Sequence, residues 1–310
     1  MDKTLDEKKK DSGRAHVQDR NGASGAITQG LLEHIGAIVE SCGATALFVY
    51  VDALDPPELD LDASLKAEIF YVTKNRPREG DSGWEHCVRV PDVPMTRMGR
   101  VKIAIFLALS RGLIRQKDRI VFLSGQSTSK TLDTIVVTEV DREYEIFSSG
   151  VDLPEAASGT LPKVVERVVD VASELGSEGR EGRSVGAMFV VGDAEHVIPL
   201  TRQLVLNPFK GYPAAERNIL DYSLEETVKE LATLDGAFVV RGDGVIETCG
   251  AYIRAPSEED YQLPAGLGAR HHAAATITAT TAALAVTVSE STGSVTIFRG
   301  GRIITEIEKP

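Results

Sequence analysis

Three short stretches in the last third of the chain carry the side chains best suited to chemistry. Gly268-Ala269-Arg270-His271-His272-Ala273 places three basic side chains at the predicted start of a helix. Backbone N–H groups and the helix dipole favour an anion there, and the planar guanidinium of Arg270 suits phosphate oxygens. Asp235-Gly236-Ala237 lies upstream, where a helix gives way to a strand, and Ser289-Glu290 lies downstream. Together these stretches predict a nucleotide site.

Each stretch also has an ordinary structural explanation. Asp235-Gly236-Ala237 could equally be a turn in which glycine supplies backbone freedom. The basic stretch could be a solvated helix start, and adjacent histidines diverge by about 100° on a helix, so His271 and His272 make a poor metal pair. The loop Ser124–Thr131 has a lysine but lacks the second glycine of a phosphate loop, so a solvated strand connection is predicted.

Composition narrows the class of protein. A chain of 310 residues suits two domains, and its formal net charge of −12 disfavours nucleic acid as a partner. The cysteines Cys42, Cys87 and Cys249 show neither metal spacing nor a disulfide framework, which fits a reducing compartment. No apolar run is long enough to span a bilayer, and the first residues lack the apolar core of a signal peptide. We therefore expect a cytoplasmic protein without a membrane partner.

Strands alternate with helices in the first half of the chain, which predicts an α/β fold. Residues 1–26 are polar and are expected to form a disordered arm. Residues 27–150 are expected to form a layered α/β domain with a mostly parallel sheet. Its predicted elements are helices over Leu31–Val39 and Val101–Leu109 and strands over Ala46–Val51, Ile69–Val72, Arg119–Leu123 and Thr134–Thr138.

The second half is expected to form another α/β domain, with a mixed sheet flanked by helices. Residues 151–182 are predicted to be a helical linker and residues 183–310 the domain itself. Ser223-Leu224-Glu225-Glu226 has the form of a capping box, so a helix is predicted from there to about Leu234. Two consecutive hairpins make the sheet mixed. The predicted strands are Val185–Val191, Ala237–Val240, Val245–Thr248, Leu284–Val288 and Ser294–Phe298.

In order and spacing, these motifs resemble those of the diadenylate cyclase domain, whose signatures are Asp-Gly-Ala and Gly-x-Arg-His-Arg-Ala. The resemblance covers roughly residues 183–300 and includes the Val286–Gly293 strand and turn and the Gly186–Val191 strand. His272 departs from the pattern, because bacterial members usually carry Arg there. The first half is similar to the C-terminal domain of pyruvate kinase in Lys117–Gly125 and Asp133–Val137, a combination similar to archaeal-type diadenylate cyclases.

The resemblance implies a nucleotidyltransferase that condenses two ATP molecules into cyclic di-AMP, a second messenger, and two pyrophosphates. It implies a homo-oligomer whose active unit is a face-to-face dimer, with Mn²⁺ or Mg²⁺ held by Asp235. Asp235, Arg270 and His271 would be catalytic. ATP would be bound by Gly236, Ala237, Ile253, Gly268, Ala269, Arg270, His271, His272, Ala273, Ser289 and Glu290. The alternative, favoured by His272, is a non-catalytic sensor of a nucleotide or cyclic dinucleotide.

Overall fold

The protein divides into two compact units. A computed structural model describes residues 25–55, 65–75, 86–140, 161–255, 263–264 and 266–308. The first unit comprises Met1–Arg89 and Lys117–Val140, and the second comprises Val90–Gln116 and Asp141–Pro310. Apart from residues 25 and 26, the predicted arm lies outside the described residues, as does the start of the predicted linker up to residue 160.

In its described residues, the first unit is a five-stranded sheet preceded by an α-helix. The strand order is β3-β2-β1-β4-β5, and all pairings are parallel except that of β4 with β5. The expected mostly parallel sheet is thereby confirmed. Its elements are α1 (25–42), β1 (Ala46–Tyr50), β2 (Glu68–Thr73), β3 (Cys87–Arg89), β4 (Arg119–Gln126) and β5 (Thr131–Glu139).

Central strand β1 explains why this sheet forms. All five of its residues are buried, as an apolar strand with neighbours on both sides and covered faces should be. The Phe48 ring stacks on Phe70 of β2 at 5.0 Å and on Phe122 of β4 at 5.7 Å between centroids. Aromatic side chains at matching register positions thus join three parallel strands.

The connection from Ser124 to Thr131 is a β-hairpin and not a phosphate loop. Strands β4 and β5 pair antiparallel on either side of it, with a register shift between Ser124 and Gly125. The Lys130 ammonium donates to the backbone oxygen of Asp52 at 3.1 Å. The predicted strand-to-strand connection is confirmed.

The second unit is a seven-stranded sheet with helices packed against it. The order is β12-β11-β10-β6-β8-β9-β7, and only β6 and β8 pair in parallel, which confirms the expected mixed sheet. Its strands are β6 (Ala187–Val191), β7 (Thr201–Gln203), β8 (Ala237–Val240), β9 (Ile246–Ile253), β10 (Leu284–Val288), β11 (Val295–Arg299) and β12 (Arg302–Ile307). Its helices are α2 (Arg97–Ser110), α3 (Leu161–Glu178), α4 (Ala194–Val197), α5 (Glu225–Leu231) and α6 (Ala269–Thr280).

Two helices group differently from the predicted domain division. Helix α2, which the sequence places in residues 27–150, belongs to the second unit and packs against β12. Helix α3, predicted to be a linker, packs against β6, β10 and β11. Both helices bury long apolar stripes, which pack against strands of the second sheet.

Helix α5 corrects the predicted capping box. It starts at Glu225 and ends at Leu231, and the side chain of its N-cap residue, Leu224, makes no capping hydrogen bond. A 3₁₀ turn over Tyr222–Leu224 precedes it, and the Asp221 carboxylate accepts from the Ser223 backbone N–H at 2.9 Å. An aspartate upstream of the predicted serine therefore caps the segment. None of the helices in the described part of the chain has the length and apolar character needed to cross a membrane.

Candidate nucleotide site

Strand directions in the second sheet bring the sequence motifs to one edge. The start of β6 lies beside the end of β10, since Ala187 pairs with Val288. Strand β8 runs parallel to β6, so the Asp235-Gly236 turn before β8 faces the same edge as Ser289 after β10. Helix α6, which packs on β10 and β11, presents Arg270 in its first turn. Three motifs far apart in sequence therefore converge.

A cavity of about 1530 Å³ lies at this edge. Every residue that the resemblance assigns to ATP or metal lines it, from Asp235 through the α6 motif to Glu290. Ligand pockets commonly measure about 300–1,000 Å³, so the space is ample for one nucleotide. Sequence reasoning missed further lining residues, among them Ser184, Leu204, Tyr252 and Thr292. Their types are common on any surface, and only the folded edge brings them together.

Gly236 holds the Asp235 turn against the neighbouring strand. Its φ is +104°, and a Cβ there would lie 2.6 Å from the Gly250 backbone carbon and 2.7 Å from the Ala251 nitrogen. Glycine is thus required by both conformation and space. The turn leaves the Asp235 carboxylate 88 % exposed in the cavity.

The Arg270 guanidinium lies between two carboxylates. Its Nη2 is 3.3 Å from Asp235 Oδ1, and its Nη1 is 3.3 Å from Glu290 Oε2. Charge-assisted hydrogen bonds usually measure about 2.7–2.9 Å, so both contacts are loose. Arg270 is 31 % exposed, and the N-cap residue of α6, Gly268, has no side chain with which to cap the helix. A guanidinium and a helix N-terminus are therefore available to an incoming anion.

The two histidines of the motif have different surroundings. His271 is 5 % exposed; its Nε2 lies 3.5 Å from Thr296 Oγ1, and its ring meets Phe298 edge-on at 5.9 Å. Burial, together with the neighbouring His272 and Arg270, lowers the pKa of His271 from its ordinary value and so favours the neutral ring. His272 is exposed and lines the cavity. His271 thus sits mostly beneath the cavity wall, whereas His272 can reach a ligand.

Helix α3 supports the turn that follows β10. A Cβ on Gly176 would lie 2.2 Å from the Gly293 carbonyl oxygen, so the helix backbone and the turn backbone lie in close contact here. Within the turn, the Gly293 N–H donates to the Ser289 carbonyl at 2.9 Å, and the Thr292 N–H donates to Ser289 Oγ at 3.3 Å. The segment predicted as a linker therefore holds one wall of the cavity.

The residues present fit a divalent cation that arrives with a nucleotide. Within the described ranges, no group of three or more His, Cys, Asp or Glu side chains could hold a metal ion. Mg²⁺ commonly takes one or two protein carboxylates and completes its shell with water and substrate phosphates. Asp235 and Glu290, both exposed in the cavity, supply hard oxygen donors of that kind.

Comparison with known proteins identifies the family. The family model described as DAC, "DisA bacterial checkpoint controller nucleotide-binding", matches residues 174–303. A diadenylate cyclase from Methanocaldococcus jannaschii is 37% identical over 215 residues, covering 67% of this chain and 66% of that protein. A diadenylate cyclase from Haloferax volcanii is 36% identical over 209 residues, covering 67% of this chain and 75% of that protein. The chain belongs to the diadenylate cyclase family.

This family assignment confirms the resemblance of the second half. The chain spans just under two thirds of the Methanocaldococcus cyclase. Among solved structures, a double mutant of DacA from Staphylococcus aureus matches 46% of this chain and 84% of that chain, at 21% identity and a TM-score of 0.32. Residues 174–303, which the family model matches, include the end of α3 and all three cavity motifs of this diadenylate cyclase family member.

Proposed function

We propose that the protein joins two ATP molecules into cyclic di-AMP and two pyrophosphates, with two copies of the chain facing each other. One observation carries the proposal: Asp235, Arg270 and Ser289 converge from three separate elements on one cavity. Membership of the diadenylate cyclase family agrees with it. A carboxylate, a phosphate-binding cation and a hydroxyl turn are the groups that phosphoryl transfer needs.

The reaction requires two opposed nucleotides. The 3′-oxygen of each ATP attacks the α-phosphorus of the other, forming a new O–P bond as the bond to the bridging oxygen breaks and pyrophosphate leaves. Since one cavity holds one ATP, two copies related by a two-fold axis would complete the pair. Holding both reactants in line supplies much of the rate through orientation.

In this proposal different residues of the cavity bind the phosphates, accept the proton and line the nucleoside part. Arg270, His272 and Ser289 hold phosphate oxygens, and Arg270 offsets charge that builds up during transfer. Asp235 Oδ1 receives the proton of the attacking hydroxyl. Gly236, Ala237 and Ile253 line the nucleoside part of the cavity. His271, which the resemblance assigns to catalysis, is buried, so we assign it instead to keeping the first turn of α6 in place.

Asp235, with Glu290 beside it, would hold Mn²⁺ or Mg²⁺. When bound, such a cation would neutralise phosphate charge and favour ionisation of the attacking hydroxyl. All other contacts to the substrate come from the chain itself.

The first unit has a separate place in the proposal. Its mostly parallel sheet suits the pyruvate kinase C-terminal-like module expected from the sequence, and its role would be assembly or regulation. We propose no active site in the first unit.

The three cysteines are free thiols, which suits a cytoplasmic location.

The test is incubation of the purified chain with ATP and Mn²⁺ or Mg²⁺, followed by chromatography for cyclic di-AMP. Asp235→Asn should retain the fold and ATP binding and lose about 100-fold or more of the rate. The matched control is Asp243→Asn, which removes an exposed carboxylate paired with Arg241 outside the cavity. Near-normal output from Asp235→Asn would contradict the assigned role. ATP binding without turnover by the unmodified chain would instead favour the sensor.

A mixing experiment tests the face-to-face arrangement. Asp235→Asn and Arg270→Ala copies are combined, so that each mixed pair carries one damaged residue in each cavity. Both bonds must form to close the ring, so the mixture should show weak activity at most. Full restoration of turnover would argue against two opposed sites.

A further inference from the structure

Gly186 lies directly before β6 and touches the proposed phosphate-binding arginine. A Cβ at this position would lie 2.3 Å from Arg270 Nη1 and 2.9 Å from its Cζ. Real Cβ atoms essentially never approach that closely, so an added methyl group would push the flexible end of the Arg270 side chain aside. The φ of Gly186 lies outside the left-handed region, so backbone conformation does not require glycine here. The reason for glycine is instead the space that the Arg270 guanidinium occupies.

The slot left by Gly186 explains how one guanidinium meets two separate carboxylates. Asp235 precedes β8 and Glu290 follows β10, while Gly186 precedes β6, which lies between those two strands. Arg270 is only 31 % exposed, whereas the carboxylates of Asp235 and Glu290 are 88 % and 64 % exposed. The guanidinium is thus the most buried of the three charged groups, whereas both carboxylates are largely exposed to solvent.

Seating the side chain has an energetic consequence. A free arginine loses much of its side-chain freedom when it is fixed. A slot that already restricts the guanidinium reduces the part of that cost that falls on ligand binding. The two 3.3 Å contacts are loose, so phosphate oxygens can replace the carboxylates without moving the arginine far.

We propose that Gly186 is a positioning residue, whose missing side chain seats Arg270 at the cavity to receive phosphate. The identity of the anion as ATP rests on the proposed function, whereas the seating rests on the geometry of Gly186 and Arg270. Any side chain at position 186 displaces the guanidinium from between Asp235 and Glu290. The charges of the cavity stay the same, but their arrangement is lost.

A double-mutant cycle tests the seating. Binding of 3′-deoxy-ATP, which lacks the attacking hydroxyl, is measured by calorimetry with Mn²⁺ for the unmodified chain, Gly186→Ala, Arg270→Ala and the double variant. Each single change should raise Kd by about tenfold. The double variant should match Arg270→Ala within about twofold, because the added methyl group then has no guanidinium left to displace. A Kd increase equal to the product of the two single increases would overturn the proposal.

Thermal unfolding keeps the test decisive if Gly186→Ala folds poorly. Removing Arg270 removes the two closest clashing atoms and leaves Glu290 Cβ at 3.0 Å, so the double variant should regain the lost stability. Failure to regain it would overturn the proposal as well. The matched control is Gly242→Ala, whose Cβ would make an ordinary 3.8 Å contact with Leu161 and whose Kd should not change.

The outcomes also separate this inference from the proposed function. If the unmodified chain binds 3′-deoxy-ATP but forms no cyclic di-AMP from ATP, the proposed reaction fails. A non-additive cycle would then still establish the Gly186 seat for Arg270. If cyclic di-AMP forms and the cycle is additive, the proposed reaction is supported and the proposed role of Gly186 is contradicted.

Discussion

Replacing Gly236 with alanine should damage both stability and nucleotide binding. Two costs add at this position. A left-handed conformation costs an alanine about 1–2 kcal/mol, and the φ of +104° demands at least that. Overpacking adds about 1–3 kcal/mol, and the neighbouring atoms, Gly250 carbon at 2.6 Å and Ala251 nitrogen at 2.7 Å, are backbone and cannot rotate away. The free energy of unfolding should fall by roughly 2–5 kcal/mol.

A matched glycine separates the two costs. Gly211 has a φ of +94°, and none of the described residues lies within 4 Å of a Cβ built on it, so Gly211→Ala measures the conformational cost alone. Denaturant unfolding of both variants should show Gly236→Ala less stable than Gly211→Ala by about 1–3 kcal/mol. Calorimetry should show weakened ATP binding for Gly236→Ala only, since Gly236 and Ala237 line the nucleoside part of the cavity and would shift with the turn. Equal losses of stability would refute the argument from backbone overlap.

Three further substitutions test other parts of the second unit, and a fourth tests the cavity wall. Arg167→Ala should lower the free energy of unfolding by about 3 kcal/mol, because the nearly buried guanidinium pairs with Glu225 at 2.8 Å; chemical denaturation measures it. Burial raises the pKa of Glu225, but hydrogen bonds from two cations outweigh it and lower the pKa to about 2. The stability that comes from the ionised Glu225 should therefore be present above pH 4.5 and lost as the pH falls towards 2. Glu225→Gln should make the free energy of unfolding less dependent on pH in this range. The pKa of His271 is lowered by burial and neighbouring charges. The stability that the neutral His271 ring contributes should therefore be complete above about pH 6.5 and shrink below it. In His271→Gln, the free energy of unfolding measured across pH 5–8 should depend less on pH. Gly176→Ala should raise the KM for ATP by pushing α3 away from the Gly293 carbonyl, and an unchanged KM would show that the turn does not depend on this contact.

The cavity was predictable from sequence because its chemistry is local. Asp235-Gly236-Ala237, the basic start of α6 and Ser289-Glu290 each lie where a helix or strand begins or ends. Such positions leave side chains and backbone N–H groups free for a ligand. The pairing of β6 with β8 and β10, which no local pattern records, brings these positions to one edge of the sheet.

Other features depend on packing that no local pattern records. The seven strongly apolar residues Ile103–Leu109 predict that α2 is buried, but not which sheet buries it. Strand β7 is three residues long and mostly exposed, so it carries no alternation to detect. The burial of His271 depends on Phe298, which lies on a strand much later in the chain. Gly186 was predictable only as the start of a strand, because the arginine that needs its space lies on α6.

The most direct test of the central claim is the stoichiometry of products from ATP. The purified chain is incubated with ATP and Mn²⁺, and cyclic di-AMP and pyrophosphate are quantified over a time course. We predict two pyrophosphates for each cyclic di-AMP, with turnover lost in Asp235→Asn. Release of ADP and phosphate, or ATP binding without any turnover, would contradict this prediction.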